Sequence, residues 1–125
     1  MSELDLGQLP LVDTHEHLRP ETERVQVAAD PLTILFQHYS ATDLQTAGLS
    51  RRDLEFVRDP GSPLLECWAA AEPFWQEARL TGYGRAIRIA LQDLYAIADL
   101  HAETLEALAE RMQAARSAWA LPPRL

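Results

Sequence analysis

Along the 125 residues, apolar positions fall into two regimes. Before Asp30 a single short apolar run, Leu11–Val12, follows Gly7 and Pro10 and leads into the polar stretch "DTHEHLRP". It predicts one short strand over residues 11–15, bounded by turn-forming types. After Asp30 the apolar residues recur at intervals of three and four, the period of an amphipathic helix. "DPLTILFQHY" opens with Asp30 as N-cap and Pro31 at the first helical position, a pairing that satisfies one orphan donor and needs no other. "SATDLQTAG" predicts a short helix stopped by Gly48, and "SRRDLEFVRDPG" another from Ser50 to Asp59–Pro60–Gly61.

Three longer helices follow. In "SPLLECWAAAEPFWQEARLTG", with Ser62 as cap, Leu64, Trp68, Ala71, Trp75 and Ala78 form one stripe. Pro73 interrupts it, removing a donor and crowding the Ala69 carbonyl, so a kink is expected there. In "TGYGRAIRIALQDLYAIADL" the stripe is Tyr83, Ile87, Leu91, Leu94 and Ala98. In the last, Ala102 to Trp119, it is Leu105, Leu108, Met112, Ala115 and Trp119, with Pro122–Pro123 beyond. The fold expected is mostly α with one short β-strand, and the tryptophans belong to its packing.

Composition narrows the partners. The net charge is −8 and every basic residue is arginine, which disfavours nucleic acid, since that affinity rests on clustered positive charge. Without lysine, neither a Schiff-base amine nor a P-loop phosphate ligand is present, nor a carbamylated metal bridge. No apolar run reaches the ~18 residues of a membrane span, and the acidic start "MSELDLGQLP" is unlike a signal peptide. The single Cys67 has no partner within the chain, lies near no histidine and carries no assigned chemistry. A cytoplasmic setting is the default.

The candidate chemistry is His15-Glu16-His17. On a strand, residues i and i+2 share a face, so both imidazoles can fill adjacent positions around zinc or a similar divalent ion. The spacing equally fits two solvated histidines at a strand-to-loop junction. Of the other two histidines, His101 stands at the start of the last helix, where a capping role is expected, and Asp13 is placed to orient the strand or a ligand.

The wider context resembles the amidohydrolase superfamily, metal-dependent (β/α)8 barrels whose first strand ends in a His-x-His metal pair. His15, His17, Leu18, Pro20, Asp30, His38, Tyr39, Ala47 and Gly48 are similar to the uronate isomerase-like branch, where a helical insertion follows the first strand. Trp68, Trp75, Tyr83, Leu94 and Tyr95 extend that likeness loosely. The resemblance implies an N-terminal portion of a barrel: residues 1–24 as strand and metal-motif loop, residues 25–120 as helical insertion. It implies a divalent metal such as zinc on His15 and His17, and Arg19, His38 and Tyr39 toward a small-molecule substrate. Further ligands and the catalytic aspartate would lie beyond residue 125, because a barrel takes about 250 residues, leaving this chain inactive alone.

Metal-assisted hydrolysis of an amide or ester-like bond is the expected reaction. Sugar-acid isomerisation is the first alternative, but Ser40, Ala41, Thr42 and Asp43 offer no cation where a uronate carboxylate needs one. The second alternative is a non-enzymatic helical interaction domain. For either fragment, apolar helix faces left without a barrel could drive oligomerisation.

Overall fold

The structure, a computed structural model, describes residues 6–10, 12, 14, 15, 17, 20–24 and 30–119. After a 3-10 turn at Leu6–Gln8, the order is α1 (Glu21–Arg24), α2 (Pro31–Leu35), α3 (His38–Thr46), α4 (Arg51–Val57), α5 (Leu64–Ala78), α6 (Gly82–Tyr95) and α7 (Ala102–Trp119).

No strand occurs among the described residues, and the expected (β/α)8-barrel segment is overturned: this is a small all-helical domain. The physical reason is that a strand needs a neighbour to take its backbone donors and acceptors. Val12 is instead 84% exposed, and Thr14, His15 and His17 are exposed too. The helices, for their part, close on one another around a shared core.

The caps explain most of the boundaries. Asp30 Oδ1 accepts the Thr33 N–H at 2.7 Å ahead of Pro31, and the Ser50 hydroxyl accepts that of Asp53 at 3.0 Å. Gly48, at φ 122°, ends α3, and the Leu49 N–H reaches back to the Leu44 carbonyl. Ser62 does not cap α5. Its hydroxyl donates to Asp59, and the helix begins one residue later, after Pro63. Asp59 also accepts the Gly61 N–H, and these two hydrogen bonds hold its carboxyl below the usual range.

Helix α5 is the centre of the domain, packed against α2, α3, α4 and α7 and running unbroken through the exposed Pro73. Cys67, Trp68, Ala71, Trp75 and Ala78 are buried along it. The Cys67 thiol donates to the Phe56 carbonyl, and its pKa is raised by burial first and then by the carboxylates of Asp30, Asp59 and Glu66. In α7 Leu105, Leu108 and Met112 face the core as their spacing predicts.

Helix α6 departs from its predicted stripe. Gly84, Ile87 and Leu91 are inside, whereas Tyr83 and Leu94 are exposed, and the helix stops at Tyr95 before Ala98. The cause is the tight α5–α6 turn. A Cβ on Gly84 would lie 2.1 Å from the Ala78 carbonyl oxygen, so only glycine lets the backbones approach this closely and set the rotation of α6.

The α6–α7 link is held by Asp99, 6% exposed. Its carboxylate accepts the Trp75 indole N–H at 3.0 Å, the Leu100 backbone N–H at 2.8 Å and the Arg79 Nε–H at 2.7 Å, together with a second bond from the same guanidinium. The Arg88 guanidinium lies 3.3 Å away. Burial pushes the Asp99 carboxyl up, but Arg79, Leu100 and Trp75 outweigh it and hold the group below the usual carboxylate range.

Three substitutions test this packing. Asp99→Asn lowers unfolding free energy by about 2–4 kcal/mol in urea denaturation, because Arg79 and Arg88 lose their buried counter-charge. Because the folded pKa is depressed, the Asp99 contribution is full above the unfolded value of about 3.9 and fades as pH falls through the folded value. Wild type therefore loses stability at acid pH more steeply than Asp99→Asn. At the end of α6, Ala96 sits at φ 52° where a glycine is usual. Ala96→Gly is expected to stabilise by about 0.5–1 kcal/mol, and Gly84→Ala to destabilise strongly, both read as shifts in the thermal midpoint.

Candidate functional site

His15 and His17 are brought together without a strand. Their Nε2 atoms stand 2.8 Å apart and their rings meet edge to face, with centroids 4.7 Å apart and planes at 71°. Such a contact pairs one ring as N–H donor with the other as acceptor and sets the two nitrogens next to each other. Both side chains are exposed. Of the residues grouped with them by sequence, Asp13, Leu18 and Arg19 lie outside the described residues.

A third imidazole is nearby. His38 lies 21 positions further along the chain, yet its ring centroid is 6.4 Å from that of His17, with the planes 39° apart. The α2–α3 junction puts it there. The helix expected to run from Asp30 through Tyr39 breaks after Leu35, where Phe36 turns its backbone to φ −96°, ψ 61° and buries its ring against Trp75. Gln37 is extended, and His38 opens α3 at φ 48°. That left-handed backbone is uncommon for any residue but glycine, with histidine, asparagine and aspartate the usual exceptions. His38 and Tyr39 therefore begin a helix where the sequence suggested they end one.

Tyr39 stacks on Tyr83 of α6, with centroids 5.0 Å apart and planes 17° from parallel, and both rings are half or more exposed. Below this stack Thr81 donates its hydroxyl to Asp43 at 2.6 Å and accepts the Gly84 N–H at 3.0 Å, fastening the start of α6 to α3. The exposed edge of the domain thus carries three imidazoles and, next to His38, a tyrosine pair. Tyr83 was read from sequence as a core position, and nothing in the local pattern marks it as the partner of a residue 44 positions earlier.

The remaining histidine is elsewhere. His101 precedes α7, where its carbonyl accepts the Thr104 N–H and its own N–H donates to the Thr104 hydroxyl, so its backbone joins the cap while its ring stays exposed. A shallow groove of about 600 Å³ lined by Gln45, Arg51, Leu54, Glu55 and Arg58 shares no residue with the imidazole edge. Arg51 pairs there with Glu55 at 3.4 Å.

As a metal site the edge is partial. Two convergent nitrogens suit two positions on a zinc-like ion, but among the described residues no group of three or more His, Cys, Asp or Glu side chains is disposed to hold one. No helix among the described residues is long and apolar enough to cross a membrane. No protein-family model matches the chain, and neither does any curated protein or solved structure.

Proposed function

We propose that this chain contributes to the metal centre of a metal-dependent hydrolase of the amidohydrolase type, with His15 and His17 as two ligands of a divalent ion such as zinc. The observation that supports it is the 2.8 Å approach of their Nε2 atoms, which places two imidazole nitrogens side by side. His15 and His17 would hold the ion, which when bound would supply Lewis-acid polarisation of a carbonyl and a water of lowered pKa. The chain's own part is to hold the two neutral imidazoles side by side. Arg19, His38 and Tyr39 are assigned to contacts with a small-molecule substrate in the cytoplasm.

Hydrolysis is preferred to sugar-acid isomerisation because residues 40–43 are turned to structural work. Ser40 bonds to the Leu35 and Gln37 carbonyls, Ala41 is buried and Asp43 is taken by Thr81. None of these offers a uronate carboxylate a positive partner.

A helical interaction domain is the second reading. It is favoured by the closed core and by Leu80, Ile89 and Leu94, apolar side chains left exposed in the turn before α6 and along it. Sedimentation of the metal-free chain separates the two, since an interaction domain that self-associates through α6 becomes monomeric in Ile89→Glu/Leu94→Glu while metal binding is untouched.

Calorimetric titration of Zn²⁺ tests the primary reading. Wild type is expected to bind weakly with released protons, and His15→Ala/His17→Ala to lose that heat, because metal competes with protons for both rings. Equal binding by the two proteins would remove the pair as a ligand site. Both positions are exposed, so the double variant should keep the fold and its thermal midpoint.

A further inference from the structure

We propose that the outer face of α6 is the surface on which two copies of this chain pair, antiparallel, about a two-fold axis that passes beside Ile89. The inference rests on the reading of the chain as a helical interaction domain and is independent of metal.

Helical geometry sets the face. Successive residues turn by about 100°, so Gly84, Ile87 and Leu91 share the side of α6 that meets the core. Ile89 and Asp93 fall on the opposite side, with Ala86 and Ala90 next to them. Ile89 is 51% exposed, Ala86 and Asp93 are exposed, and Ala90 is partly so. Tyr83 and Leu94, both half or more exposed, form one margin of this face, and the exposed Arg85 forms the other.

The charges identify the occupant. Arg85 stands in the first turn of α6 and Asp93 in the last. Both run against the helix dipole, which favours anions at the N-terminus and cations at the C-terminus. Neither side chain forms an ion pair with another described residue. Arg85 comes four residues before Ile89 and Asp93 four after it. A second α6 running the other way and centred on Ile89 therefore sets Arg85 against the partner's Asp93. The reciprocal pair forms at the same time, because a two-fold interface makes each contact twice. A parallel pairing would instead set like charges together, and a foreign surface of one sign would suit only one of the two residues.

The apolar residues obey the same axis. Ile89 meets its own copy, and Ala90 beside it is small enough to let the helices approach within the usual interaxial distance of about 8–10 Å. On the other margin Tyr83, six residues before Ile89, meets the partner's Leu94, which follows Ile89 by five. Tyr83 keeps its stack on Tyr39 and offers the half of its surface that remains exposed. A charged pair thus closes one side of the seam and an apolar pair the other. A contact made by one helix of 14 residues lies at the small end of specific interfaces, so the dimer is weak and depends on concentration.

Sedimentation equilibrium of the full chain, with no metal added, reads the pairing. Wild type should pass from monomer to dimer between micromolar and millimolar concentration. Arg85→Asp and Asp93→Arg each turn both attractive contacts into repulsive ones, and each should weaken the dimer about tenfold or more. Both positions are exposed, and each change gives its end of α6 the charge that the dipole prefers, so the thermal midpoint should be kept. An equimolar mixture of the two variants should recover dimer near the wild-type level, since every contact across the mixed pair joins opposite charges. If wild type dimerises and Ile89→Glu does not, yet the charge variants dimerise like wild type and mixing changes nothing, the antiparallel register is wrong while the interaction domain stands. If wild type is monomeric throughout, self-association through α6 falls with it and the face is left to a different protein.

Discussion

The rest of the structure hangs on the carboxylate of Asp99. It is buried between α5, α6 and the start of α7, and it collects an indole N–H, a backbone N–H and two guanidinium groups. Buried charge is tolerated only when it is paired and its lone pairs are occupied, and here both conditions are met. The network fixes the long helices with respect to one another. Once α6 is seated, with Gly84 against the end of α5, its first turn presents Thr81 to Asp43 and Tyr83 to Tyr39. Those two contacts hold the first turn of α3, and that turn aims His38. The histidine edge is therefore the far end of a mechanical chain that begins in the core.

The buried network and the histidine edge occupy different parts of the molecule. The side chains that hold the fold are nearly all inside, while every residue of the imidazole edge is exposed. Changing His15, His17 or His38 should leave the packing intact, and changing Asp99 should loosen the packing without touching a donor nitrogen. Among the described residues of that edge, His38 bears a local cost in its left-handed backbone, and there the surrounding contacts are needed to maintain it.

Sequence pattern disclosed the features set by local chemistry. The Asp30–Pro31 start, the Ser50 cap, the Gly48 stop, the stripe of α5 and the Leu105, Leu108 and Met112 positions of α7 follow from spacing and capping rules, and each is where those rules put it, while the Trp119 side chain lies outside those described. The features it missed are set by tertiary contacts. A strand at residues 11–15 looked plausible from composition, but a strand without a neighbour has nowhere to put its hydrogen bonds. The face of α6 is decided by the close approach at Gly84, which no periodicity reports. Asp99 reads as one polar residue in a loop until Trp75, Arg79 and Arg88 are seen around it. The His15–His17 pair was legible as a short motif. The nearness of His38 was not, because it depends on a break at Phe36–Gln37 that the ring of Phe36 causes by packing on Trp75.

The central claim is spatial: imidazoles from two separate segments share one edge of a helical domain. Proton–proton nuclear Overhauser contacts in the metal-free full chain test it most directly. The account predicts cross-peaks between the rings of His17 and His38 and between those of Tyr39 and Tyr83. Ring protons of His17 that contact only their own sequence neighbours would contradict it.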